Sequence, residues 1–440
     1  MSKFFGTDGI RQKAENFTPK FLRLVAKGLV EYAGKSEIKV LLGGDTRESS
    51  EWILRELEEA FETLGVEYGN VGVLSTPAIN YTFYKMGFDF AIDVTASHNP
   101  YSDNGVKIFE RGATSGQKLS EAGREIIEKV LEADEDYEVV ATELREDLHD
   151  EAVEIYREHL LDYVGVVDFG GLKIGVDCAN GATGVIGGEI FKKLGASVTV
   201  INNDTKYGQS INNNCGSTHL ESLQELVTHK GLDFGAAFDG DGDRVLMVDD
   251  KGEVVDGDQI IVILCEALGL SRAAVTVMAN QGLFDWSERR GIKLEVTAVG
   301  DQNVAEAMRQ LNIQIGGEQN GHVILSGEAT GDGMLAALMI AKIVAESGKT
   351  LANLAKSMTK FPQVIVNMPA SVEQKNALKN SETAKKILLD YDAKLKAVKG
   401  RLLVRPSGTE NLIRVTMWGR DEAEIKKLAD DLAGELKEIL

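Results

Sequence analysis

The chain has 440 residues, with 69 acidic against 48 basic side chains and a formal charge of -21. A surface this acidic lacks the basic footprint that nucleic acid or an anionic membrane requires, so neither is expected as a partner, and an anionic substrate must be held by local positive clusters. At 43% hydrophobic and 27% charged residues the composition is that of an ordinary globular protein, long enough for roughly three domains.

The opening FFGTDGIR, residues 4–11, is a glycine-rich loop ending in Arg11, able to bring backbone and one guanidinium to a phosphate. A helix is predicted next, with Thr18 as N-cap, Pro19 at its first position, and Phe21, Leu22, Val25, Leu29 and Tyr32 on its apolar face. Residues 38–50 read as an apolar strand, a Gly-Gly-Asp turn and a helix capped by Ser49 or Ser50. The same plan returns at 172–184 and 274–286. Three α/β domains of related design are therefore expected, with mostly parallel mixed sheets and ligand sites beyond the strand C-terminal ends.

Between the first two copies, the alternating run 88–95 leads into TASHNP at 95–100. Ser97 then sits at a strand end, before Asn99 and Pro100 break the strand. The acidic stretch 132–154 loses apolar periodicity and marks a join. The apolar run 259–270 contains Glu266 and is too short to span a bilayer, so a buried helix is predicted. The N-terminus shows no apolar leader segment, and Cys178, Cys215 and Cys265 form neither a CxxC pair nor a disulfide framework, which fits a cytoplasmic setting. Beyond 361–370 the composition turns lysine-rich. Strands at 401–404 and 413–418, then a helix opened by Asp421 with Glu424 three residues on and burying Ile425, Leu428, Leu432 and Leu436, make a smaller α+β cap. The expected domains are 1–152, 153–252, 253–367 and 368–440.

The strongest chemical signal is DGDGDR at 239–244. If the segment is extended, Asp239, Asp241 and Asp243 project to one side as hard oxygen ligands suited to magnesium, and an EF-hand is excluded because its sixth and twelfth positions hold Arg244 and Asp250. In 316–324, GGEQNGHVI, Glu318 and Asn320 can hydrogen-bond vicinal sugar hydroxyls beside the titratable His322. In 405–414, RPSGTENLIR, Ser407, Gly408 and Thr409 with Arg405 and Arg414 form a candidate phosphate cradle. Neither a Walker A loop nor a GxSxG elbow is present.

FGTDGIR, TASHNP, DNGVKIF at 103–109, DGDGDR, GGEQNGH and RPSGTE stand in the order and spacing of the α-D-phosphohexomutase superfamily, which the chain resembles from end to end. The resemblance implies four domains around a central cleft, three α/β and a smaller cap. It implies that Ser97 carries a phosphoryl group and that its oxygen joins Asp239, Asp241 and Asp243 around one Mg²⁺. Arg11 and Arg244 would neutralise transferring charge, and Lys107 and His322 would move protons, Lys107 needing a lowered pKa to act as a base. The loop at Arg405–Thr409 would grip the non-reacting phosphate of a sugar phosphate, with a hexose 1,6-bisphosphate as activator and intermediate. Similar enzymes are often dimers, so a homodimer is expected.

Gln319 is similar to the residue of members that act on glucosamine phosphates, which makes interconversion of glucosamine 6-phosphate and glucosamine 1-phosphate the expected reaction. Asn320 stands where serine is usual, Gln302 where arginine is, Asn411 where proline is, and Gln12 where glycine often is. The alternatives are a glucose or mannose phosphate mutase, a non-catalytic sugar-phosphate sensor, and a metal-dependent phosphatase. Intact Ser97, Lys107, His322 and aspartates argue against the sensor.

Overall fold

The first motif is a hairpin and not an open loop: in the computed structural model Phe5–Gly6 pairs antiparallel with Gly9–Lys13, which in turn pairs with Asp103–Arg111. Arg11 is thereby a strand residue, facing Gly105 across the ladder. The structure describes residues 3–6, 8–35, 37–113, 115–138, 148–407 and 411–440. They divide into two bodies, one of Met1–Thr276 with Glu295–Lys356, the other of Val277–Leu294 with Ser357–Leu440.

The first body holds three mixed sheets among its described residues. In the first, Lys39–Gly44 pairs parallel with Glu67–Val73 and Phe90–Val94, and Phe90–Val94 pairs antiparallel with Asp103–Arg111. In the second, Lys173–Asp177 lies parallel to Ser197–Ile201 and Phe234–Phe238, and the last pairs antiparallel with Val245–Asp249. In the third, Arg272–Thr276 lies parallel to Ile315–Gly317, which pairs antiparallel with Val323–Leu325. The three sheets are thus mixed, in keeping with the expected α/β plan. Parallel pairing is confined to strands joined through helices, and each domain ends its core in a hairpin. The three connections 95–102, 239–244 and 318–322 are the same hairpin bend in three successive domains. This places Ser97, the aspartates and Glu318–Asn320 at equivalent strand ends.

Local chemistry explains the helices. Thr18 Oγ1 accepts from the Phe21 amide at 3.2 Å, Pro19 opens Pro19–Ala33, and Leu22, Val25 and Leu29 are buried. Neither Ser49 nor Ser50 caps the next helix, Glu48–Thr63. Arg47 occupies the cap position, the Asp45 carboxylate accepts from the Arg47 amide and the Ser50 hydroxyl, and Ser49 accepts from Asn104. A carboxylate two residues upstream already closes the turn, so both serines fall inside it.

The join expected at 132–154 is shorter than that. Helix Glu121–Ala133 ends at Asp134 and helix His149–Val164 starts early, fastened by Leu148 N–H to Asn70 O and by His149 Nδ1 near Val71 O. Residues 139–147 lie outside the described residues. The apolar run forms Gly257–Leu268, opened by a capping box of Asp256 and Gln259 and buried from Ile260 through Cys265. Among the described residues no helix is long and apolar enough to cross a membrane.

The second body contains a three-stranded antiparallel sheet in the order Gln363–Pro369, Leu412–Trp418, Arg401–Pro406. Two helices that the sequence pattern left unmarked, Val372–Asn380 and Glu382–Ala397, join the expected Glu422–Ile439. In that helix Ile425, Leu432 and Leu436 are buried as expected, each worth about 2 kcal/mol, while Ala429 is buried and Leu428 only partly so. Arg401 also belongs here. Its guanidinium lies 4.4 Å from the Phe284 ring and 3.9 Å from the Trp418 ring and donates to Val277 O and Ala279 O, tying the 277–294 segment to the sheet.

Candidate active site

The Phe90–Val94 hairpin bend holds Ser97 in the left-handed region at φ 53, fully buried. Its Oγ donates to Asp239 Oδ2 at 2.6 Å. Asp239 comes from the corresponding bend of the second domain, where Gly242 at φ +72 supplies a turn that other residues resist. The three aspartates therefore converge through a turn and not, as expected, along an extended strand: an extended run would space them along one face, whereas the turn brings ligand oxygens within 4.8 Å of one another. All three are buried.

The metal-binding reading can be tested on these carboxylates. Asp241 Oδ1 and Asp243 Oδ1 are buried with no hydrogen-bond partner among the described residues. Clustered anionic oxygens with open valences, burying charge that burial alone penalises, fit a hard divalent cation. Burial, then Asp241 and Asp243, push the Asp239 carboxyl well above its ordinary range.

Lys107 stands opposite Asp93 on the hairpin's second strand. Its Nζ lies 2.7 Å from Asp241 Oδ2, 3.0 Å from Asp243 Oδ2 and 3.3 Å from Asp8 Oδ2. Burial alone would lower its pKa, but Asp241, Asp243, Asp8 and Asp93 outweigh it and hold the ammonium well above the usual value. The lowered pKa that a base would need is thus absent from this environment; the surroundings make Lys107 a buried cation. Asp8 in turn is held below the ordinary carboxyl range: burial opposes ionisation, but Lys107, Lys118 and Arg11 overcome it. Arg11 Nη2 donates to Asp8 Oδ2 at 2.6 Å.

Arg244 Nη1 lies 3.0 Å from His98 Nδ1, and its Nε lies 3.8 Å from Asp243 Oδ1. Burial, then Arg244 and Arg11, lower His98 to about 4, leaving it neutral. His322 is buried with Nδ1 3.7 Å from Asp243 Oδ1 and Nε2 3.3 Å from Asp301 Oδ2. Burial opposes its charge, but Asp301 and Asp243 raise its pKa. The Gly331 amide donates to Nε2 at 2.9 Å.

The third bend is tied to both neighbours. Val245 N–H donates to Gly321 O, and Gly257 N–H to Gln319 O. Glu318 Oε1 accepts from the Gly300 amide at 3.1 Å and Oε2 from Asn320 Nδ2 at 3.2 Å. Gln319 Nε2 lies 3.4 Å from Asp256 Oδ2, so its amide is oriented by a helix cap. Asn320 is exposed.

In the second body Arg405 and Arg414 face each other across antiparallel strands. Like charges in that position repel, and burial together with Arg414 lowers the Arg405 pKa. Arg405 Nε is buried without a hydrogen-bond partner among the described residues. Lys375 Nζ donates to the carbonyl of buried Ser407 at 3.1 Å, adding a third cation that the sequence reading missed. Gly408 and Thr409 lie outside the described residues.

Sequence reasoning also missed Thr76, Asp93, Lys118 and Asp301. Thr76 Oγ1 lies 2.6 Å from Asp93 Oδ2 and 2.8 Å from Asp241 Oδ2. Lys118 bridges Asp8 and Asp301. Asp8 stood inside the motif FGTDGIR, and Asp301 immediately precedes Gln302. Lys118 had no local signal.

Four family models match this chain: phosphoglucomutase/phosphomannomutase alpha/beta/alpha domain I at residues 2–138, domain II at 154–252, domain III at 256–361, and the C-terminal domain at 343–435. The phosphoglucosamine mutase of Caldicellulosiruptor saccharolyticus is 42% identical over 461 residues, covering 100% of both chains. That of Clostridium tetani is 39% identical, covering 98% of each. A solved phosphoglucomutase/phosphomannomutase family protein from Burkholderia thailandensis has the same fold, with a TM-score of 0.79 at 21% identity over 98% of this chain and 97% of that one.

Proposed function

The chain belongs to the phosphoglucomutase/phosphomannomutase family, and on that premise we propose that it is an isomerase interconverting glucosamine 6-phosphate and glucosamine 1-phosphate, with Ser97 as phosphoryl carrier. The observation that carries the reading is Ser97 Oγ, buried and 2.6 Å from Asp239, at the mouth of three converging carboxylates. Full-length identity to phosphoglucosamine mutases supports the amino sugar as substrate.

Phosphoserine 97 gives its phosphoryl group to a hydroxyl of the bound sugar monophosphate: the Ser97 O–P bond breaks, a sugar O–P bond forms, and the hydroxyl proton leaves to a nearby base. The bisphosphate turns over, and its other phosphate returns to Ser97. Mg²⁺ held by the phosphoserine, Asp239, Asp241 and Asp243 would offset charge on the equatorial oxygens. Arg244 and Arg11 add positive charge beside Ser97, and each has a buried Nε with no hydrogen-bond partner among the described residues, suited to a phosphate oxygen. His322 is placed to exchange a proton, because Asp243 and Asp301 stabilise its charged form while Gly331 N–H favours the neutral one. Lys107, kept cationic by the carboxylates around it, stabilises transferring charge. Glu318 and Asn320 read sugar hydroxyls, Gln319 sets the amino-sugar preference, and the Arg405–Arg414 pair with Ser407 binds the phosphate that is not reacting.

A trace of hexose 1,6-bisphosphate would load Ser97 initially. We extend the reading to a cytoplasmic homodimer, which light scattering tests for oligomeric state. The function itself is tested by comparing kcat/KM for glucosamine 6-phosphate and glucose 6-phosphate with Mg²⁺ and hexose bisphosphate, using Ser97→Ala as control. Preference for the amino sugar that vanishes in the variant is expected. Preference for glucose 6-phosphate would reassign the substrate, and activity retained by Ser97→Ala would reject the carrier.

A further inference from the structure

The loop that carries Ser97 is built around a guanidinium for which the transfer chemistry has no direct use. Arg47 is fully buried, and its Nε donates to Asp45 Oδ2 at 2.9 Å, a carboxylate that is itself fully buried. Its other two nitrogens reach four carbonyls of one loop. Nη2 donates to Ser97 O and Asn99 O, each at 2.8 Å, and Nη1 to Pro100 O at 2.5 Å and Asp103 O at 3.0 Å.

These bonds close a ring through the carrier residue. Ser97 N–H donates to Thr95 Oγ1 at 2.9 Å, the Thr95 hydroxyl donates to Asp45 Oδ2 at 2.7 Å, Asp45 accepts from Arg47, and Arg47 returns to Ser97 O. Asn212, from the second domain, adds a donor to Ser97 O at 2.8 Å and to Asn99 O at 3.2 Å. Both peptide planes of Ser97 are therefore fixed. That matters because φ 53 lies in a region disfavoured for residues with a Cβ, so the side-chain direction must be imposed from outside. Four inward carbonyls also put partial negative charge beneath a residue that carries a phosphate, and the guanidinium offsets it. A lysine ammonium, with three donors at one point, cannot meet four carbonyls and Asp45 together.

Resting on the reading of Ser97 as carrier, we propose that Arg47 is a positioning residue for phosphoryl transfer: with Asp45 and Asn212 it holds the Ser97 backbone so that Oγ meets Asp239, and it serves the transfer step, not sugar binding.

The test uses full-length protein carrying Arg47→Lys or Asn212→Ala, with fold checked by circular dichroism and urea unfolding. Intact mass after mixing with Mg²⁺ and hexose 1,6-bisphosphate gives the rate at which Ser97 is phosphorylated, and steady-state assays give kcat and KM. In folded Arg47→Lys, kcat and the phosphorylation rate should both fall by about 100-fold, in Asn212→Ala by about 10-fold, with KM for the sugar phosphate within about 3-fold of wild type. A folded Arg47→Lys that is phosphorylated at the wild-type rate, or a loss confined to KM, overturns the inference. Should Arg47→Lys fail to fold, Asn212→Ala decides alone: a loss in kcat without KM supports it and an unchanged phosphorylation rate overturns it. Wild-type protein that takes no phosphate on Ser97 refutes the carrier reading, and this inference with it, before any variant is made.

Discussion

Asp332 offers a stability test that is independent of catalysis. It caps the buried helix Gly333–Ser347, its Oδ1 accepting from the Leu335 amide at 2.8 Å, while Tyr156 OH donates to Oδ2 at 2.7 Å. Glu328 lies nearby, 3.0 Å from His159 Nε2. Burial first, then Glu328, raise the Asp332 carboxyl from the ordinary 3.8 to about 7. A carboxyl raised on folding binds its proton more tightly in the folded chain. Its contribution is complete below pH 4 or so, falls as pH rises toward 7, and is lost above that, at about 1.4 kcal/mol per unit. The full span comes to about 4 kcal/mol, of which about 2 kcal/mol falls between pH 5 and pH 7. Asp332→Asn stays neutral throughout. It keeps the cap acceptor and offers Tyr156 a donor, so the native bonds survive. Urea unfolding followed by far-UV circular dichroism should therefore show the variant gaining on wild type between pH 5 and pH 8. A gap that is constant across that range, or narrower at pH 8, would refute the reasoning.

Three further outcomes are expected. Asp241→Asn removes a carboxylate that Lys107 and Thr76 share and whose second oxygen has no hydrogen-bond partner among the described residues; titrated activity should need at least about 10-fold more Mg²⁺, and an unchanged requirement would remove Asp241 from the metal set. In Gly257→Ala the new Cβ would stand 2.1 Å from Glu318 O, so the sugar-reading bend must shift; KM should rise roughly 10-fold, and an unaltered KM would show that the bend is not held there. Arg401→Ala removes two aromatic contacts and two carbonyl bonds, a loss of about 2 kcal/mol or more; hydrogen exchange should quicken in helix Gln281–Arg290, and preserved protection would mean that other contacts hold it.

What could be read in the sequence was whatever local chemistry determines. Thr18–Pro19 and Asp421–Glu424 announce helix starts because a cap is a bond between neighbours. The aspartates were legible because they are adjacent, yet their convergence depends on Gly242 adopting a turn, which alternation alone misreads as a strand. Ser49 and Ser50 look like caps until Asp45 is seen to take that role from outside the helix. Lys107 meets Asp241 across 134 residues, and Lys118 meets Asp301 across 183, so no spacing rule reaches either pair. The direction of the Lys107 shift followed from those partners and could not be inferred without them. Arg47 was invisible for the same reason: its carbonyl partners have no side-chain signature.

Phosphate transfer through Ser97 is the centre of the account, and the most direct measurement follows the phosphate itself. Protein mixed with ³²P-labelled hexose 1,6-bisphosphate and Mg²⁺ is digested, the labelled peptide identified, and the intact labelled enzyme then chased with unlabelled glucosamine 6-phosphate. Label on the peptide containing Ser97, moving to the amino-sugar bisphosphate in the chase, is the expected result. Label on any other residue, or its release as inorganic phosphate without transfer to the sugar, would contradict the mechanism.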